Sequence, residues 1–155
     1  MQVQDIMVKQ VITAGPRETI SQAAARMREE QIGCLVVVDE DTVAGIVTDR
    51  DLLGCVQAGH DAQDCRLSNH MSKPVFTTEP RRALLTVIQE MSNRKIKRVP
   101  VVSGAKLVGL LSFSDVAQYM NEQVGNIWSE WVHVARVTKA QAEHRRGKKS
   151  REPKR

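Results

Sequence analysis

Gly45-Ile46-Val47-Thr48-Asp49-Arg50-Asp51 and Gly109-Leu110-Leu111-Ser112-Phe113-Ser114-Asp115 are one pattern written twice: a glycine, two aliphatics, a hydroxyl residue and, three positions later, an aspartate. The copies stand 64 residues apart. The same shift aligns Met7 with Met71, Thr13 with Thr77, Pro16 with Pro80, Met27 with Met91, Ile32 with Ile96 and Val37-Val38 with Val101-Val102, without a gap. Solenoid units run about 20–50 residues and recur many times. A longer unit present only twice is a duplicated half-domain.

Outward from that pattern, each copy reads alike. Val11-Ile12-Thr13 predicts a short strand, Gly15-Pro16 a turn, and Ile20, Ala23, Ala24 and Met27 an amphipathic helix. Cys34 to Val38 and Val43 to Val47 predict a hairpin around Asp39-Glu40-Asp41, with a second helix starting near Asp49. In the second copy the corresponding segments are Val75-Phe76-Thr77, a helix from about Arg82 to Asn93, strands Val99 to Val102 and Leu107 to Leu111, and a closing helix from Ser114 to Met120. The fold class is therefore α+β: two β-α-β-β-α repeats, 1–62 and 63–120, packed about a pseudo-two-fold axis. Neither half has enough core to stand alone, so two three-stranded sheets are expected to pack together.

The chain has 155 residues, 41% hydrophobic and 26% charged, which suits a packed core and excludes wholesale disorder. Its length leaves no room for a full-sized catalytic domain beside the repeats. No apolar run approaches the ~20 residues that span a bilayer, and residues 1–10 lack a signal-peptide pattern. Three cysteines without a C-x-x-C pair argue for a reducing compartment. The expectation is a soluble, cytoplasmic protein with no membrane partner. The net charge of +5 is concentrated at residues 139–155, which carry eight Lys or Arg against Glu143 and Glu152.

Thr48-x-x-Asp51 and Ser112-x-x-Asp115 have the form of capping boxes, in which the hydroxyl caps the helix and the acid three residues on reaches back to the N-cap amide. The same corner also suits a nucleotide. A helix N-terminus attracts phosphate, the hydroxyl adds a donor, and an aspartate accepts ribose hydroxyls. Capping and ribose binding use the same positions, so the sequence leaves both readings open.

With these residues in place, the chain resembles the tandem cystathionine-beta-synthase (CBS) domain pair, or Bateman module. The resemblance covers about residues 1–120. It rests on Val3-x-Asp5-Ile6-Met7, its counterpart Leu67-Ser-Asn-His-Met71, the Val99-Pro100-Val101-Val102 strand and the doubled glycine-to-aspartate pattern. It implies a non-enzymatic regulatory module that binds AMP, ADP or ATP between the repeats and signals occupancy to a partner the sequence does not name. NAD and S-adenosylmethionine share the adenosine and stay open, and no further cofactor is required. By resemblance, Asp51 and Asp115 hold ribose, Thr48 and Ser112 bind phosphate or ribose oxygens, and Thr13 and Thr77 contact base or sugar. Val36, Val47, Val99 and Leu111 lie against adenine, and Lys97 and Arg98 aim at phosphate. Gly33-Cys34 replaces that basic pair in the first repeat, so two unequal sites are expected. Modules of this kind commonly pair into flat homodimers.

Cys55, His60, Cys65 and His70 recur at intervals of five, a formal set of zinc ligands. Structural zinc sites usually use shorter paired spacings, so no metal site is assigned from sequence. His133 and His144 have no nucleophile or acid placed beside them, and no catalytic motif is present. Residues 121–138, with Trp128 and Trp131, read as an amphipathic helix suited to packing or dimer contact. Residues 139–155 read as a disordered basic tail, through which nucleic acid is the alternative partner.

Overall fold

The computed structural model describes residues 1–126. The remainder of the predicted 121–138 helix and the whole basic tail lie outside the described residues. Met1–Val116 form one compact unit, which contains all the sheet, and a second unit begins at Ala117.

The first repeat contributes β1 (Thr13–Ala14), α1 (Ile20–Glu29), β2 (Cys34–Asp39), β3 (Thr42–Thr48) and α2 (Asp49–Gln57). The second contributes α3 (Leu67–His70), α4 (Leu84–Asn93), β4 (Arg98–Ser103) and β5 (Lys106–Ser112). Residues 113–126 are helical. The α+β reading holds, with a difference in the sheet: a single five-stranded sheet of order β1-β2-β3-β5-β4 replaces two three-stranded ones. The hairpins β2–β3 and β4–β5 have matching registers 64 residues apart, and Thr42 pairs with Lys106 where they join. The strand expected over Val75-Phe76-Thr77 is absent; only Thr78 bridges Val101. In the first repeat Thr13 pairs with Val36 and Ala14 with Val37. The position matching Val36 is Pro100, which has no N–H to donate, so pairing contracts to one bridge.

The helices share their endings. After α1 and α4, Gln31 and Lys95 adopt positive φ, while Ile32 N–H donates to Met27 O and Ile96 N–H to Met91 O. This is the Schellman closure, and Ile32 and Ile96 pack against the cores that hold Met27 and Met91. It accounts for the paired Met and Ile positions of the repeat. A charge-swapped ion pair marks the same turn in both halves, Glu18–Arg26 at 2.8 Å and Arg82–Glu90 at 2.8 Å. The hydrogen bond from Arg82 holds the Glu90 carboxyl below its ordinary range.

Each repeat lends its first residues to the other. Val3 is fully buried in the second core with Leu84, Val87, Met91, Val99, Val101, Leu111 and Val116. Leu67, which opens the second repeat, is fully buried in the first core with Ile20, Ala23, Met27, Leu35, Val37 and Val47. Backbone bonds fasten both crossings: Val3 N–H to Arg82 O at 3.0 Å, and Leu67 N–H to Glu18 O at 2.9 Å. Met71 then packs over Gly45, and Met7 over Gly109, where a β-carbon would sit 2.6 Å from the Met7 sulfur. The repeated glycines are thus the space into which the other repeat's methionine fits.

Candidate functional site: the inter-repeat corners

The helix that follows each hairpin begins at the hydroxyl residue. Thr48 donates both its main-chain N–H and its hydroxyl to Oδ2 of Asp51, at 2.7 and 2.9 Å. Ser112 does the same to Oδ2 of Asp115, at 2.9 and 2.6 Å, and Asp115 N–H returns a bond to Ser112 Oγ at 3.2 Å. Both corners are capping boxes. Only Oδ2 is used: among the described residues, Oδ1 of each aspartate has no hydrogen bond from protein. Capping and accepting a ligand hydroxyl are therefore compatible on one carboxylate.

The two corners belong to one region. Cys34 pairs with Thr48, and Arg98, its repeat counterpart, pairs with Ser112. A β-carbon on Gly33 would lie 3.3 Å from Nη2 of Arg98 and 3.5 Å from a carboxylate oxygen of Asp49. Arg98 of the second repeat thus reaches the first repeat at the point where Gly33 leaves room. Burial pushes the Cys34 thiol above its ordinary range; Arg98 opposes this, while Asp49 and Asp115 reinforce it. Charges from both helix starts thus act on one thiol. Asp49 is a residue the motif reading passed over, and its counterpart in the other corner is Phe113.

Thr13 lies on β1, and its carbonyl accepts from the Arg26 guanidinium at 2.6 Å. It lines a cleft of about 200 Å³ with Lys9, Val11, Val38, Asp41, Lys106, Leu107 and Val108. An adjacent cleft of about 530 Å³ shares Lys9 and Val108 and adds Gln4, Asp5, Met7, Pro80 and Ser103. Lys9 and Lys106 were not marked by any motif; only the fold brings them beside Thr13. Thr77 is half-buried, whereas its neighbour Thr78 is buried with a hydroxyl that has no partner among the described residues. Val36, Val47, Val99 and Leu111 are fully buried, the last three within the two cores. Those four side chains present no surface to a ligand in this arrangement. A continuous apolar strand gives no alternation, so sequence does not tell a cleft wall from core.

A βαββα repeat and a second copy whose first strand is reduced to one bridge exchange their leading segments around one sheet, and with a capped aspartate corner on each they define a tandem pseudo-two-fold module. The CBS domain model matches residues 3–58 and 67–122, and the chain belongs to that family as a CBS domain pair. Such pairs are, in general, nucleotide-binding regulatory modules. The CBS domain-containing protein YhcV of Bacillus subtilis is 34% identical over 134 residues, covering 84% of this chain and 95% of its own length. Among solved structures, the CBS domain pair of protein MJ0100, in complex with 5'-methylthioadenosine and S-adenosyl-L-methionine, is 26% identical with a TM-score of 0.73, covering 79% of this chain and 98% of that one. Hypoxic Response Protein I, with two coordinated zinc ions, is 30% identical with a TM-score of 0.69, covering 76% and 98%. Among the described residues, no helix is long and apolar enough to cross a membrane.

Proposed function

We propose that this chain is a non-enzymatic sensor that binds an adenosine-containing ligand at the junction of its two repeats and reports occupancy to a partner. The observation that carries the reading is the half-used carboxylate: Asp51 and Asp115 each cap a helix with Oδ2 and keep Oδ1 for a ribose hydroxyl. The adenosyl ligands of the MJ0100 pair support the same class here. Thr48 and Ser112 contribute the helix starts, and Arg98, with Lys97 beside it, supplies positive charge for phosphate. Adenine takes an accessible aliphatic surface beside these corners rather than the fully buried Val36, Val47, Val99 and Leu111. Thr77 serves the second site. The sites are unequal because Asp49 adds negative charge to the first corner and Phe113 adds none to the second.

Ligand binding that tightens the junction favours one arrangement of the repeats, which is how occupancy becomes a signal. The groove between α1 and α2, about 490 Å³ and lined by Ile20, Met27, Leu52, Leu53 and Val56, suits the homodimer contact the resemblance implies.

Calorimetric titration with AMP, ADP, ATP, NAD and S-adenosylmethionine tests the proposal, repeated on Asp51→Ala and Asp115→Ala alongside thermal melts. A lost charge-assisted bond to ribose weakens binding about 10- to 100-fold. The expected result is saturable binding weakened unequally by the two variants. Lower melting points with unchanged affinity would leave the aspartates as caps alone and overturn the reading.

A further inference from the structure

The region between the repeats holds a constellation that the nucleotide reading does not use. Cys55 lies in the last turns of α2, His60 and Cys65 in the connecting segment, and His70 at the end of α3. Their ligating atoms all lie within 4.8 Å of one another. Four donors around a tetrahedral zinc stand about 3.3–3.8 Å apart, given Zn–N and Zn–S bonds of about 2.0–2.3 Å. Closing the set onto an ion thus requires side-chain movements on the order of 1 Å. We propose that Cys55, His60, Cys65 and His70 form a Cys2His2 site for a divalent zinc ion.

The backbone holds the four in place before any metal arrives. His60 N–H donates to Cys55 O at 3.3 Å, and Cys65 N–H to Asp61 O at 3.0 Å. The connection is fastened to α1 by Ile20 N–H to Cys65 O and Ser21 N–H to Ala62 O, both at 2.9 Å. His70 is placed by α3, whose Leu67 is sunk in the first core. The intervals of five residues argued against zinc because paired knuckles use shorter ones. Here no knuckle is needed, since a helix end, a pinned connection and a borrowed helix supply one or two ligands each. Thiolate and imidazole together suit zinc over the oxygen-seeking cations, and four protein ligands leave no open position. The ion is structural: it ties the end of α2, whose first turn carries Thr48 and Asp51, to the segment lent by the second repeat. The cluster is separate from the aspartate corners, so its test does not depend on nucleotide binding.

The test uses the full, untagged chain, reduced and stripped of metal, titrated with zinc against a chromophoric chelator and separately with cobalt. One equivalent bound, with thiolate-to-cobalt charge-transfer bands, the intense visible bands of tetrahedral cobalt and a raised melting point, is the expected result. His60 is exposed, so His60→Ala leaves folding intact; it and Cys65→Ser each weaken zinc about 100-fold, the share of one ligand in four. A double variant of His133 and His144 to Ala leaves affinity unchanged. The site is overturned if zinc is not retained against a micromolar chelator, if His60→Ala and Cys65→Ser bind like the parent, or if Cys55 and Cys65 form a disulfide and stay bridged under the reducing conditions of the titration.

Discussion

Asp51 and Asp115 each use one carboxylate oxygen, Oδ2, for a capping box, which leaves the other oxygen for the ribose hydroxyl of the proposed ligand. Gly45 and Gly109 show the converse, a residue whose only contribution is what it lacks. At Gly45 a β-carbon would press on the side chain of Met71 down to its Cβ, which no rotamer change relieves. Gly45→Ala therefore destabilises by about 1–3 kcal/mol, the ordinary cost of overpacking. Gly54, inside α2, has nothing within 4 Å of an added carbon. Gly54→Ala stabilises by roughly 0.5–1 kcal/mol through helix propensity alone. Urea melts of the two variants separate these signs, and equal effects would refute the packing account of the motif glycine. Sequence marked both motif glycines correctly as fixed points of the repeat. It did not give the reason, because the methionine that requires the space comes from the other half.

At the scale of elements, the repeats differ where one has lost a local device. Thr19 caps α1, with Gln22 reaching back to the Thr19 N–H at 2.9 Å. The matching positions in the second repeat are Ala83 and Thr86, and α4 starts without a side-chain cap. That start, expected near Arg82, falls at Leu84, since no cap residue marks it. Ala83 is exposed and has the extended backbone of an N-cap. Ala83→Thr should therefore raise stability by about 0.5–1 kcal/mol, read as a higher denaturant midpoint with unchanged slope. No gain would mean that the Gln2–Ala83 bridge already satisfies the helix end. The strand around Val75 to Thr77 fails for an equally local reason that was present in the sequence, Pro100. Hairpins, by contrast, were legible almost residue for residue, because Glu40-Asp41 and Ser103-Gly104 punctuate runs of Val and Leu too short for helices.

At the scale of the molecule, the repeat boundary and the core boundary do not coincide. The first core draws only on residues between Ile12 and Met71, whereas the second takes Val3, Ile6 and Met7 from the start of the chain together with residues from Phe76 to Val116. Sequence periodicity cannot show this, since a segment that repeats every 64 residues is equally compatible with packing on its own half or on the other. The zinc-type cluster was obscured by the same crossing, which carries His70 back to the first repeat. The consequence is a test of the exchange. A fragment of residues 1–64 contains one whole repeat by sequence but lacks Leu67 and Met71, and so leaves a hole in its core while exposing Val3. A fragment of residues 9–73 contains no complete repeat yet retains every residue of the first core. Burying Leu67 alone is worth about 1.5–3 kcal/mol, a large share of what a domain near 60 residues has to spare. Although neither half is expected to match the full chain in stability, fragment 9–73 should keep more amide dispersion and a higher denaturant midpoint than fragment 1–64. If 1–64 folded as well as 9–73, the lent segments would be followers of the fold, and the two repeats would be independent halves merely resting side by side.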